Sequence, residues 1–101
     1  TRLNIRETVH IGLIINELIT NTLKYGMQST ICVITISFFK NNNDSFTLKY
    51  SDNGAGFHNE FSLEKTKQFG IDLIKTITEQ YDGKIDAYNS NGAVVEIELS
   101  I

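Results

Sequence analysis

The sequence predicts an α+β fold, a two-layer α/β sandwich in which helices cover one face of an antiparallel-rich sheet. Three observations carry this. Two stretches repeat apolar residues at the helical period, other stretches alternate or are rich in β-branched residues, and clusters of Asn, Asp and Gly separate them. The 101 residues fit one domain, 1–101, long enough to hide roughly two-thirds of the surface of the unfolded chain.

Between residues 6 and 25, Ile11, Ile14, Ile15, Leu18, Ile19 and Thr22 fall in one stripe at 100° per residue, so the segment is a helix, with Gly26 as its stop. Residues 30–39 form a β-branched run suited to a strand, and residues 41–44, NNND, are the turn after it. Residues 45–52 alternate, Phe46, Leu48 and Tyr50 on one face and Thr47 and Lys49 on the other, which predicts a second strand antiparallel to the first. The polar, aperiodic residues 57–68 read as a loop and suggest a mobile lid. Helical periodicity returns in residues 69–81 through Leu73, Ile74, Ile77 and Tyr81, and Asp82-Gly83 ends it. A hairpin closes the chain: strands at 84–88 and 93–101 meet through a turn at 89–92, with Val95, Ile97, Leu99 and Ile101 on the buried face. Residues 3–5 are expected as a further edge strand.

Composition narrows the function classes. Hydrophobic residues make up 41% and charged residues 21%, so neither disorder nor a membrane span is indicated. A net charge of −3 with no Lys/Arg cluster leaves no footprint for nucleic acid. The lone cysteine, Cys32, excludes a disulfide or a cysteine metal site within the chain and makes a reducing compartment the simplest inference. The chain begins at Thr1, which suggests a piece of a longer protein.

Three constellations have chemical potential. Glu17, Asn21 and Lys24, at i, i+4 and i+7, line one edge of the apolar stripe; a carboxylate, an amide oxygen and an ammonium suit a hydrated Mg²⁺ bound to phosphates. Alone, the row reads more readily as a solvated helix face. Asp52, in SDNGAG, continues the core face of its strand, and a buried carboxylate needs a donor, which a ligand amino group would supply; Gly54 and Gly56 would let backbone approach a flat ring. Alone, DNG is equally a turn closing a strand. Gly70 in QFG opens the second helix, where backbone amides can approach a phosphate, although one glycine is more often a turn into a helix.

Their order is more informative than any one of them. NELITNTLKYG, DNGAGF and FGIDLIKTITEQYDGKI resemble the N box, first glycine box and second glycine box of the GHKL superfamily of ATP-binding domains, and most closely those of sensor histidine kinases. The resemblance spans roughly residues 5–99 and implies the Bergerat-type ATP-binding fold. It further implies that Asn21 binds Mg²⁺ and that Glu17 is a general base or part of the metal shell. Lys24 and Tyr25 would contact phosphates, Asp52 would accept from the adenine amino group, Gly54 and Gly56 would shape the pocket floor, and Gly70 would border the phosphates. Asn53 is a further candidate. Gly92-Ala93 stands where the family often has Gly-Thr, which questions a hydroxyl contact near the adenine.

The resemblance implies the catalytic domain of a two-component histidine kinase, using ATP and Mg²⁺ to phosphorylate a histidine on a separate dimerisation domain that passes the phosphoryl group to a response regulator. A cytoplasmic location, with the parent free to be membrane-anchored, follows, with no membrane contact from this domain. His10 and His58 are expected to be surface or packing residues. A gyrase- or MutL-type ATPase, an anti-sigma-factor serine kinase and a degenerate nucleotide-binding module are the alternatives.

Overall fold

The computed structural model describes residues 3–23, 33–41, 44–54 and 69–101. Asn4 starts the first helix, α1 (Ile5–Asn21), through a reciprocal capping box: its side chain accepts from the Glu7 N–H at 2.8 Å, and its own N–H donates to Glu7 Oε1 at 2.8 Å. The edge strand expected at residues 3–5 therefore does not form. Asn4 is extended, and the box commits the chain to helix at Ile5.

Ile11, Ile14, Leu18 and Thr22 are buried along one face of this helix, with Ile15 and Ile19 partly covered beside them. Thr22 keeps helical backbone angles just past the last residue of α1, and its N–H reaches the carbonyls of Leu18 and Ile19. The stop expected at Gly26 and the lid at 57–68 lie outside the described residues, as do the first residues of the strand expected at 30–39.

The remaining elements follow the sequence pattern closely: β1 (Ile34–Lys40), β2 (Ser45–Asp52), α2 (Phe69–Gln80), β3 (Lys84–Asn89) and β4 (Ala93–Ser100). The four strands form one sheet in the order β1-β2-β4-β3, every neighbouring pair antiparallel. Register unites the core face. Phe46 lies opposite Leu99, Leu48 opposite Ile97 and Tyr50 opposite Val95, and Leu48, Tyr50, Val95, Ile97 and Leu99 share one core cluster with Ile14, Leu18, Ile71, Ile74 and Ile77 from the two helices. Each such side chain stabilises the fold by roughly 1.5–3 kcal/mol on burial, and together they hold both helices on one side of the sheet.

The opposite face is wetter, where Lys49 and Glu96 pair in register at 3.7 Å; an exposed ion pair of this kind is worth about 0–1 kcal/mol. Val94 departs from the expected alternation: it lies on this outer side, opposite Ser51 and Tyr88, and is nonetheless buried. β1 and β3 are the edges, and Phe38 from β1 stacks on Phe46, ring centroids 5.2 Å apart and planes 7° from parallel, and so covers that core residue.

Asp82-Gly83 ends α2 as expected, with Asp82 in the left-handed conformation at φ 49°. Gly83 is required for close approach, because a Cβ there would collide with the Glu98 carbonyl. Its N–H donates to the Thr78 carbonyl at 2.9 Å. The β3–β4 turn uses positive φ at both Asn91 and Gly92, as the Asn-Gly pair predicts. No described helix is long and apolar enough to cross a membrane.

Candidate functional site

The site is built where β2 ends beside the C-terminus of α1. Alternation along β2 places Asp52 on the core face, 7% exposed, two residues beyond the buried Tyr50. Among the described residues three donors hold the carboxylate. Oδ1 accepts from the Gly54 N–H at 2.9 Å and from the Ala93 N–H at 3.1 Å, and Oδ2 accepts from the Thr22 hydroxyl at 2.7 Å. The Thr22 oxygen is in turn 2.6 Å from the Tyr50 hydroxyl. A buried carboxylate is thus supported by the turn after it, the hairpin beside it and the end of the helix above it.

The donor that a buried carboxylate needs is therefore supplied within the protein. Among the described residues, the protein supplies three of the roughly four hydrogen bonds an ionised carboxylate accepts, two on Oδ1 and one on Oδ2, so that among them Oδ2 keeps one acceptor position. Gly54 acts through its backbone, in an Asx turn with Asp52. Asn53 turns outward and clamps the strand ends: its side chain accepts from the Val33 N–H at 2.8 Å, and its own N–H donates to the Val33 carbonyl at 3.2 Å.

Gly92 makes the hairpin contact possible. With φ 136° it packs on the backbone of residues 52 and 53, and a Cβ there would overlap the Asp52 carbonyl oxygen and lie 2.8 Å from its carbon. That close approach aims the next N–H, of Ala93, at the Asp52 carboxylate. Ala93 makes this bond through its backbone, and a hydroxyl reaches Asp52 from Thr22.

On α1, Glu17 and Asn21 flank the buried stripe and are themselves half-buried. Glu17 reaches across to the start of α2: its Oε2 lies 2.5 Å from where a Cβ on Gly70 would stand, so glycine at position 70 gives the carboxylate room. Glu17 and Gly70, expected separately, are therefore neighbours, at a helix N-terminus whose dipole favours negative charge. The described residues hold no cluster of three His, Cys, Asp or Glu side chains; Glu17 and Asn21 offer a carboxylate and an amide oxygen, ligand types that a hard cation takes. Lys24, Tyr25, Gly56 and His58 lie outside the described residues. His10 is a packing residue, as expected. Its Nδ1 is 2.5 Å from the Tyr81 hydroxyl and the rings meet edge to face at 5.4 Å, which ties α1 to the end of α2.

Sequence reasoning placed Thr22 and Tyr50 on the buried face but assigned neither a polar role, and it missed the Gly92-Ala93 contact. A hydroxyl at a buried position beside an ionisable core-face residue is the signal that points to the first two. The third depends on how the hairpin docks on β2, which no local pattern encodes.

Comparison with known proteins identifies the family and the fold. The sequence profile of the "Histidine kinase-, DNA gyrase B-, and HSP90-like ATPase" family matches residues 7–101. The sensor histidine kinase ComP of Bacillus subtilis is 28% identical over 101 residues, covering 96% of this chain but 13% of that protein, so the chain spans a small part of its relative. Among solved structures, the histidine kinase domain of the Erythrobacter litoralis EL346 blue-light activated kinase superposes with a TM-score of 0.80 at 16% identity, over 90% of this chain and 43% of the other. The Acinetobacter baumannii histidine kinase AdeS gives 0.75 at 23%, over 93% and 47%. These two likenesses show the fold, and the profile covers α1 from Glu7 onward and every other described helix and strand. The chain belongs to the histidine kinase-, DNA gyrase B- and HSP90-like ATPase family.

Proposed function

We propose that the chain is the ATP-binding catalytic domain of a sensor histidine kinase, presenting the γ-phosphate of Mg²⁺-ATP to a histidine on the dimerisation domain of its parent protein, from which a response regulator takes it. The observation that carries this reading is Asp52, a buried carboxylate held, among the described residues, by three protein donors with one acceptor position left, which fits the exocyclic amino group of adenine. The similarity to ComP supports the kinase over other members of the family.

The donor set also fits the metal. Glu17 and Asn21 offer a carboxylate and an amide oxygen on one edge of α1, the hard ligands Mg²⁺ takes alongside phosphate oxygens and water. When bound, Mg²⁺ neutralises charge on the phosphates. Glu17, next to Gly70, suits the metal shell or a base at that edge better than a direct phosphate contact, since two anions at one helix start would repel. Lys24, Tyr25, Gly56 and Gly70 are proposed to border the phosphates. Rate enhancement would come from positioning and charge compensation.

Titration of the 101-residue chain with Mg²⁺-ATP tests the site. Asp52→Asn replaces the acceptor by a group that can present a donor and is expected to weaken binding by about ten- to a hundredfold, the worth of a charge-assisted hydrogen bond. Asn21→Ala is expected to weaken the Mg²⁺-dependent part of binding. Wild-type affinity in both variants would sink the assignment.

A further inference from the structure

The Asp52 carboxylate does not stand alone, and the hydrogen atoms around it can be counted. Tyr50, Thr22 and Asp52 are all buried, at 2%, 4% and 7% exposure, and their oxygens form a continuous line at 2.6 Å and 2.7 Å. A threonine hydroxyl has one hydrogen. Because the carboxylate can only accept, that hydrogen lies toward Asp52 Oδ2, and the Tyr50 hydroxyl must donate to Thr22. Direction along the line is therefore fixed: Tyr50 to Thr22 to Asp52, each donor polarised by the one before it. Two backbone donors occupy Oδ1, so the line controls the oxygen that keeps a position for a ligand.

We propose that Thr22 and Tyr50 are positioning residues for base recognition, which set the plane of the Asp52 carboxylate and leave a single acceptor position on Oδ2 aimed at the amino group of the nucleotide base. The proposal rests on the reading of Asp52 as the adenine acceptor. Thr22 does its work by holding Oδ2 in place from α1, while Tyr50, two residues before Asp52 on the same strand face, orients Thr22. The consequence is selectivity. A base bearing an amino group meets an acceptor, a base bearing a carbonyl at that place meets only lone pairs, and a base with hydrogen there gains nothing from the arrangement.

The experiment compares affinities for Mg²⁺-ATP and for the triphosphate of purine riboside, which lacks the 6-amino group. In the unaltered chain ATP is expected to bind more tightly. Thr22→Val keeps the shape and removes the donor; ATP affinity is expected to fall about tenfold while purine riboside triphosphate stays within about twofold, so the ratio collapses. Thr22→Ser is expected to restore the ratio. Tyr50→Phe, which keeps the ring, is expected to reduce it by about two- to threefold and provides a second reading if the valine variant folds poorly. An equal loss for both nucleotides in Thr22→Val, or an unchanged ratio in both Thr22→Val and Tyr50→Phe, overturns the proposal. Asp52→Asn separates the two levels: if it leaves the ratio unchanged, the adenine reading itself has failed, whereas a collapse in Asp52→Asn alone refutes only the role of Thr22 and Tyr50.

Discussion

Replacing Gly92 by alanine perturbs the fold and the site through one atom. At φ 136° an alanine is in a region that L-residues rarely adopt, which costs about 1–3 kcal/mol. The added Cβ would also overlap the Asp52 carbonyl oxygen and stand 2.8 Å from its carbon and 3.1 Å from the Asn53 Cα, all backbone atoms that cannot rotate away. The hairpin must therefore move off β2, and the Ala93 N–H, 3.1 Å from Asp52 Oδ1, moves with it. Loss of one donor to a buried carboxylate adds about 1–3 kcal/mol. The sum is roughly 2–6 kcal/mol, and at about 4–8 °C per kcal/mol for a domain of this size the thermal midpoint should fall by at least about 8 °C. Circular dichroism melts measure this directly, and ATP titration below the transition should show weakened binding as well. A midpoint within about 2 °C of the parent would refute the reasoning, because it would mean that Gly92 does not press on residues 52 and 53.

Two further substitutions test the helices with opposite signs. Gly12 lies in the exposed interior of α1, where an added Cβ meets nothing within 4 Å, so Gly12→Ala should stabilise by about 0.5–1 kcal/mol, seen as a rise in the denaturation midpoint with an unchanged slope. Asn4→Ala removes a cap whose side chain and partner satisfy two backbone N–H groups and should destabilise by about 0.5–2 kcal/mol; a loss below that range in urea denaturation would show that the box contributes little to holding α1.

Local periodicity determined most of the architecture. β2 alternates so regularly that its burial pattern, and with it the inward direction of Asp52, could be read from six or seven letters, because side chains on a strand have a period of two whatever surrounds them. The same holds for the stripe of Ile11, Ile14, Leu18 and Thr22 on α1, for the core face of β4 and for the Asn91-Gly92 turn. The capping box of Asn4 and Glu7 was equally local, and reading residues 3–5 as a strand overlooked it. The motif order then identified the family, and through it the residues worth locating.

What tertiary structure alone decided is how these pieces meet. Asp52 could be placed on the core face from sequence, but whether it would be orphaned or satisfied depended on three donors separated from it by 2, 30 and 41 positions. Thr22 became a donor because α1 sets it over the end of β2, and Ala93 because Gly92 lets the hairpin press against residues 52 and 53. Glu17 met Gly70 only once the two helices lay side by side on the sheet. Hydrogen bonding is short-ranged and directional, so its partners follow from the packed arrangement of elements, whereas periodicity follows from backbone geometry and is written in each segment by itself.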